Sequence, residues 1–470
     1  MKTARAKTAW LAEPGARLDA AYHLSEGRQA KIHIEATEKF KPLVAVTNRI
    51  FLGGRFRRVY VEDSKRGYPY LTASDMTKSE PLSNNYLSKK HTRNTDLLMI
   101  QKGWILLSCS GSVGRTVYTN EDFEGQIGTH DLIRIVPNED KLPSGYLYAF
   151  LSSKYGFSLL TQGTYGGVIQ HIEPHHIADL PVPLLPDAEQ QQIHEQIKEA
   201  SRLRVEANRL LAEAVRMFET ENKLYYQPEW IAPLEDHKTQ SFRIKAGSVF
   251  QVSLKARNHS DRVARILNTW SERQGISLHQ YLQFPFTNGT GGFFKRIEDA
   301  HYKGPEMVSQ SDLHKANPKG HKRVKIIRAS SDDYGQSNMV LFPSVGNASG
   351  ENEIFVRPTL AYKLYEGKLL SGDIGRFKCK NLEDAAYLFT AIKSTAGFRI
   401  LKAMTYGTSL RRVNWELIKD MHVPMASSDL KHSVSSLVIK AYESRHQANE
   451  LENAAITHIE QAIEGWQERP

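Results

Sequence analysis

The sequence predicts an α+β protein built twice: two tandem strand-rich domains, each followed by a long α-helix, the two helices paired antiparallel as a coiled-coil spacer. Three observations predict it: an internal repeat at a fixed offset, short strand-like runs punctuated by glycine turns, and two stretches patterned in heptads. Residues 146–218 return 241 residues later without a gap. Tyr146-Leu147 matches Tyr387-Leu388, Gly156-Phe157 matches Gly397-Phe398, Thr164-Tyr165-Gly166 matches Thr405-Tyr406-Gly407, and Val182-Pro183 matches Val423-Pro424. Thirteen identities fall within 146–184 at this offset, where unrelated segments of ordinary composition would share about two or three. A period this long means whole domains, not a solenoid of small units. The predicted layout is a first domain over 1–186, a helix over 187–226, a second domain over 227–426 and a C-terminal helix over 427–470.

Residues from about 45 to 185 read mainly as strand and turn. Arg57-Arg58-Val59-Tyr60-Val61 alternates, and Trp104-Ile105-Leu106-Leu107 and Leu132-Ile133-Arg134-Ile135-Val136 are short strand-like runs. Gly53-Gly54, Ser110-Gly111-Ser112-Val113-Gly114 and the glycines between 163 and 167 punctuate them. One helix is expected over 146–162, spaced by Leu147, Phe150, Leu151 and Leu159. Pro181, Pro183 and Pro186 then stop the domain.

Asp187 is the expected N-cap of the next element, with Glu189 in its first turn. From there Ile193, Ile197, Ala200, Arg204, Ala207, Leu211, Ala214 and Phe218 alternate steps of four and three, a heptad seam with no Pro or Gly between Asp187 and Tyr226. Some 35 residues at about 1.5 Å each make a rod of roughly 50 Å. The second copy reads Val434, Val438, Ala441, Arg445, Ala448, Glu452, Ala455 and Ile459, and its matching alanines permit close approach of two helices. Paired antiparallel, the helices would place the two globes at opposite ends.

The front of the second domain is more divergent. Gly291-Gly292-Phe293-Phe294-Lys295-Arg296 echoes Gly53-Gly54-Arg55-Phe56-Arg57-Arg58, and residues 308–313, with Ser311-Asp312, echo 71–76, with Ser74-Asp75. Scaffold positions match while the residues between them differ. That pattern suits one fold with two ligands.

A chain of 470 residues exceeds one ordinary core. Two cysteines, Cys109 and Cys379, give no disulfide framework and suit a reducing compartment. No run approaches the ~18 apolar residues of a membrane span, and the N-terminus lacks a signal-peptide pattern; a soluble, cytoplasmic protein without membrane contact is expected. Lysine and arginine number 62 against 52 acidic residues, a formal charge of +10. The excess clusters at Arg55, Arg57, Arg58, Lys65 and Arg66, and again at Lys315, Lys319, Lys322, Arg323, Lys325 and Arg328, with aromatics interleaved at Phe51, Phe56, Tyr60 and Tyr68. Such patches suit a polyanion, although a well-mixed basic surface explains the charge equally well.

No nucleotide-binding loop, zinc-protease, serine-hydrolase or paired CxxC signature occurs. His171, His175 and His176 lie close together but lack a fourth ligand, so neither catalytic nor metal residues are assigned. Cys109 reads as a small buried residue. The loop Ser110-Gly111-Ser112-Val113-Gly114-Arg115 is either a tight turn or a set of N–H and hydroxyl donors with a basic end, suited to phosphates or base edges. Thr-Tyr-Gly then presents Gln170-His171 in one copy and Arg411-Arg412 in the other. Glutamine pairs naturally with adenine and arginine with guanine in a major groove; the alternative is a structural turn facing water.

The two-fold repeat, the 146–157 segment followed by Gly163-Thr164-Tyr165-Gly166, and Leu180-Pro181-Val182-Pro183-Leu184 leading to Glu189-Gln190 and a long helix together resemble the DNA-specificity (S) subunits of type I restriction–modification enzymes. Arg17-Leu18-Asp19 looks like the family's entry to the first domain. The second copy departs: it reads Met421-His422-Val423-Pro424-Met425, lacks the Glu-Gln pair, and its Ser344-Val345-Gly346-Asn347 only loosely parallels the loop starting at Ser110. The resemblance implies two target-recognition domains, each reading half of a split double-stranded DNA site. It implies paired helices that set the spacing, and docking of two methyltransferase subunits along them. S-adenosylmethionine would sit in those partners, with no cofactor bound by this chain, and restriction or motor subunits would complete the assembly. Expected DNA-contacting residues are Arg57, Lys65, Arg66, Ser110, Ser112, Arg115, Tyr165, Gln170 and His171 in the first domain. In the second they are Lys295, Lys322, Arg323, Asn347, Tyr406, Arg411 and Arg412. Expected seam and partner residues are Ile193, Ile197, Ala200, Ala207, Val434, Val438, Ala441 and Ala448. A specificity module of another defence-type methyltransferase complex, or a coiled-coil scaffold whose globes bind proteins, are the alternative readings.

Overall fold

The computed structural model describes residues 25–37, 39–62, 64–81, 85–162, 171–232, 241, 243, 253, 255–283, 296–298, 304–319, 322–326, 330–347, 354–419 and 421–467. The chain forms two compact units: Met1–Val205 with Gln447–Pro470, and Glu206–His446.

The first described element of the first unit is the helix Glu26–Glu35, whose N-cap Ser25 hydroxyl accepts from the Arg28 amide at 3.1 Å. An antiparallel sheet follows in the order Thr47–Leu52, Leu132–Pro137, Ile105–Ser108, Thr116–Tyr118. Its central strands are buried on both faces, and Ile105, Leu107, Ile133 and Ile135 join the main core. A smaller sheet orders Tyr60–Val61, Tyr86–Ser88, Gly67–Leu71 and Ile127–Gly128, with only the last pair parallel. The strand expected from Arg57 is shorter than its alternation suggests. Ser88 N donates to Val59 O, and the partner strand then turns away at Lys89, leaving Arg57 and Arg58 outside the ladder.

The single helix expected over 146–162 is two, Ser144–Ser152 and Lys154–Gln162. Ser153 breaks it: its hydroxyl donates to Phe150 O at 2.6 Å and accepts from Gly156 N at 3.1 Å. A Cβ on Gly156 would lie 2.1 Å from Phe150 O, so only glycine lets the chain double back. The second unit repeats the device with Ser394, Ala391 O and Gly397, and with the same 2.1 Å approach. The Tyr146 hydroxyl donates to Pro183 O and the Tyr387 hydroxyl to Pro424 O, at 2.8 and 3.0 Å. These bonds account for the best-matched part of the repeat.

In the second unit Thr359–Leu360, Met339–Pro343 and Ile374–Lys378 form the equivalent central sheet. Arg296–Glu298, Lys322–Ile326, Glu306–Val308 and Leu369–Leu370 form the smaller sheet, again with only the last pair parallel. The short pair Phe40–Pro42 with Pro181–Pro183 recurs as Ile276–Ser277 with His422–Val423. The second copy of the Ser-Asp motif is also reproduced in bonds. Thr72 and Ser309 hydroxyls donate to Asp75 and Asp312, which receive Lys78 and Lys315 at 2.6 Å each. Each carboxylate ties off the turn after a strand, which explains its recurrence without a catalytic partner.

The long helices are Asp187–Glu221 and Ser428–Gln467. Asp187 is the first helical residue and not the cap; Pro186 O accepts from both Glu189 N and Gln190 N. The first helix ends at 221, short of Tyr226, because Lys223 takes φ 51° and Leu224 N closes back on Glu219 O. All named seam positions are buried except Arg204, which is only partly so. In the first unit the helix segments run antiparallel: Glu189 meets His458 at 2.9 Å, and Arg204 meets Asn449 and Glu452. In the second, Arg445 Nη2 donates to Asn208 Oδ1 at 2.8 Å, the mirror of the Arg204–Asn449 bond at 2.9 Å. The aligned arginines and asparagines of the repeat thus bond reciprocally.

Candidate nucleic-acid interface

In the first unit residues 109–115 join Ile105–Ser108 to Thr116–Tyr118 as a tight loop. The buried Ser108 hydroxyl holds it from inside, donating to Ser112 O at 2.6 Å and accepting from Arg115 N at 3.0 Å. Gly111 and Gly114 take φ 71° and 92°, conformations that suit glycine, and a Cβ on Gly114 would also strike Thr161 and Phe157. Ser112 and Arg115 are exposed at the tip, and Ser110 bridges His171 in a single antiparallel step. The loop is therefore both a tight turn and a platform with a basic end. Cys109 sits buried beneath it, its thiol pushed up to about 12 by burial and then by the nearby Asp131 charge, so it is no nucleophile at neutral pH.

The second unit makes the same junction with more chain. Cys109 N donates to Asp131 O and Ile172 N to Cys109 O; Ser344 N donates to Asp373 O and Val413 N to Ser344 O. Ser344 therefore stands where Cys109 does, and Val345 where Ser110 does, one place from the loose parallel read in the sequence. From Ser344 the chain runs on as the strand Val345–Asn347, paired with Leu410–Val413, which pairs with Thr405–Tyr406. Asn347, Tyr406 and Arg412 are exposed on this ribbon, while Arg411 is half-buried. At the loop's far end Val356 closes on Pro343 O as Gly114 closes on Ser108 O, but with φ 56° on a buried valine. Arg357, in the place of Arg115, lies 3.7 Å over the Phe398 ring.

The basic clusters meet on equivalent sheets. Arg57 leads into Tyr60–Val61, and Lys65 and Arg66 occupy the turn before Gly67–Leu71, all three exposed. Arg58 reaches His130 Nδ1 at 3.3 Å and lies over Tyr70, while Lys89 lies over Tyr68. Lys322 and Arg323 fall in the strand that corresponds to Tyr86–Ser88, opposite Met307 and Glu306. Beneath the first of these sheets lies a residue that the sequence reading named only as part of a strand. Arg134 is fully buried and donates to the carbonyls of Leu132, Gly128, Leu98 and Thr129 at 2.8–3.4 Å, stapling the small sheet to the central one. Burial pulls its pKa down to about 10. Arg376 takes the same place in the second unit, donating to Ser371 O and lying 3.9 Å from Asp333. An arginine inside an apolar strand in both copies was the available signal.

Tyr165, Gln170, Lys295 and Arg17-Leu18-Asp19 lie outside the described residues. His176 is engaged in a helix cap, accepting from Glu173 N at 2.9 Å, and burial followed by the neighbouring His175 lowers its pKa. Among the described residues no three His, Cys, Asp or Glu side chains converge as a metal site would require. None of the described helices is long and apolar enough to cross a membrane.

Residues 53–214 match the family model described as type I restriction modification DNA specificity domain. The match spans the small basic sheet, the Ser110–His171 junction and most of the first long helix. No curated protein matches the chain. Among solved structures it is similar to the type I restriction–modification S subunit from M. genitalium, at 13% identity over 90% of this chain and 94% of that one, with TM-score 0.33. It is also similar to the HsdS subunit from Thermoanaerobacter tengcongensis, at 13% identity over 90% and 95% of the two chains, with TM-score 0.26.

Proposed function

We propose that this chain is the non-catalytic DNA sequence-specificity subunit of a type I restriction–modification complex, an N6-adenine methyltransferase and endonuclease. Each unit reads one half of a bipartite duplex site. The long helices dock two methyltransferase subunits, which bring S-adenosylmethionine, and restriction or motor subunits join them. The observation that carries this reading is the specificity-domain match over 53–214, together with the reuse of the same junction, small sheet and buried arginine in the second unit. One scaffold with different exposed residues, Ser112 and Arg115 against Asn347, Tyr406 and Arg412, is what two readers of unlike sequences require. Exposed arginines and lysines on the small sheet supply phosphate contacts, which position a duplex without reading it.

The test is binding of the purified chain to genomic duplex DNA across a salt series, followed by mapping of methylated bases after reconstitution with its methyltransferase. Affinity that falls steeply with salt, and a methylated motif in two separated halves, are expected. Salt-independent binding, or methyl transfer by the chain alone, would overturn the proposal.

A further inference from the structure

Resting on that reading, we infer that the second unit reads bases with one face of its three-stranded ribbon, the face bearing Asn347, Tyr406, Leu410 and Arg412, and that Arg411 takes no part. Successive residues of a strand point to opposite faces. Along Leu410–Val413 the exposed residues are Leu410 and Arg412, Arg411 is half-buried and Val413 is buried. Cross-strand partners share a face, so the pairs Asn347–Leu410, Tyr406–Arg412 and Val345–Arg412 put Asn347, Tyr406, Leu410 and Arg412 together around a buried Val345. Arg411 pairs with Gly346, where a Cβ would strike the buried Phe355 at 2.7 Å, so its face is the one laid on the protein.

The outward face is partly apolar. Leu410 is 54% exposed and Tyr406 45%, two apolar side chains beside an arginine and an amide. Lys255 adds a cation at the ribbon's turn, its Nζ donating to Gly407 O at 3.3 Å. Asp373 lies 4.0 Å from Arg412 Nη1, a long pair between half-exposed groups that a ligand can open. A β-ribbon fits the major groove. There arginine meets guanine, asparagine meets adenine, and an apolar side chain meets the thymine methyl. A partner protein would equally cover a leucine and a tyrosine; the amide, arginine and lysine around them favour duplex DNA.

The experiment is enrichment of duplexes by the full chain from a pool carrying two randomised blocks, comparing Arg412→Gln, Leu410→Ser and Arg411→Gln. The wild type is expected to enrich two half-sites. Arg412→Gln and Leu410→Ser should change base preference in one half only, by about tenfold at the affected positions, and Arg411→Gln should leave both halves as they are. A preference altered by Arg411→Gln but not by the other two overturns the inference. So does an even loss of affinity for all sequences with Arg412→Gln, since that marks a phosphate contact. If the wild type enriches no half-site, the proposed function fails and the ribbon's role with it.

Discussion

Where the first unit buries a carboxylate between its helices, the second buries a leucine. Glu452 accepts from Arg204 at 2.8 and 3.1 Å and from the Tyr148 hydroxyl at 2.6 Å, all in a nearly closed setting. The corresponding residues of the second unit are Leu211, Arg445 and Phe389. Arg445 there lies over Tyr442, which packs edge-on against Phe389 and bonds Thr359 and Leu360 N. Both units keep the Arg–Asn bond of the repeat, so the shared part of the helix pair is an arginine-to-amide hydrogen bond and small-residue packing. The Arg204–Glu452 ion pair belongs to the first unit. A buried ion pair is a poor source of net stability but strongly penalises any register that separates it; an otherwise near-symmetric seam acquires a direction from it.

The largest expected effect breaks that contrast directly. Arg204→Met removes the cation from the buried Glu452 carboxylate and should destabilise the first unit by about 3–5 kcal/mol. Arg445→Met removes a hydrogen bond to a neutral amide, and about 1–2 kcal/mol is expected. The double change Arg204→Met with Glu452→Leu should recover most of the loss, because the second unit already shows that leucine fits there. Urea unfolding of the full chain and its variants reads all three. Equal losses at Arg204 and Arg445 would mean that the carboxylate is not the source of the difference.

A second effect should be the same in both units. Gly156→Ala and Gly397→Ala each push a methyl onto a backbone oxygen at 2.1 Å. Each is expected to cost about 2–3 kcal/mol. Thermal unfolding that separates the two variants by more than about 1 kcal/mol would show that the matched helical hairpins are not equivalently packed.

These two cases also show what could be read from residues alone. The hairpins were legible because glycine, serine and tyrosine are held by backbone contacts that tolerate little else, so the repeat keeps them letter for letter. The seams were legible because helical periodicity is a property of spacing. The pairing of Glu452 with Arg204 was not, since it joins residues far apart in the chain and its counterpart is apolar. Nor was the Ser344 register. The two loops differ in length just where they cross the central sheet, and only the ladder bonds show which residues correspond. Arg411 and Arg412 looked alike as neighbours in the sequence, and strand geometry gives them opposite faces.

The tie at the turn offers a weaker, pH-dependent comparison. Burial alone would raise the Asp312 carboxyl, but the Lys315 and Ser309 hydrogen bonds outweigh it and hold its pKa below the ordinary aspartate value. A depressed folded pKa contributes stability that is present above the unfolded pKa and is lost as pH falls through the folded one. Asp312→Asn should therefore cost about 1 kcal/mol at neutral pH, and the difference from wild type should shrink in acid below about pH 4. A gap that stays constant from neutral to acid pH would place the loss in the hydroxyl and amide bonds and not in the charge.

The smallest effect separates two arginines that occupy one place in the repeat. Arg115 is exposed at its loop tip, whereas Arg357 is stacked on Phe398. Arg357→Ala should cost about 0.5–1 kcal/mol of stability through the lost cation–π contact and leave DNA affinity unaltered. Arg115→Ala should leave stability unaltered, lower affinity evenly for all duplexes, and reduce the slope of log affinity against log salt by about one. Thermal unfolding and a salt titration of DNA binding on the same two variants decide it. If Arg357→Ala also flattened the salt slope, the stacked guanidinium would be reaching phosphate after all, and the two loop ends would be alike in use despite their different packing.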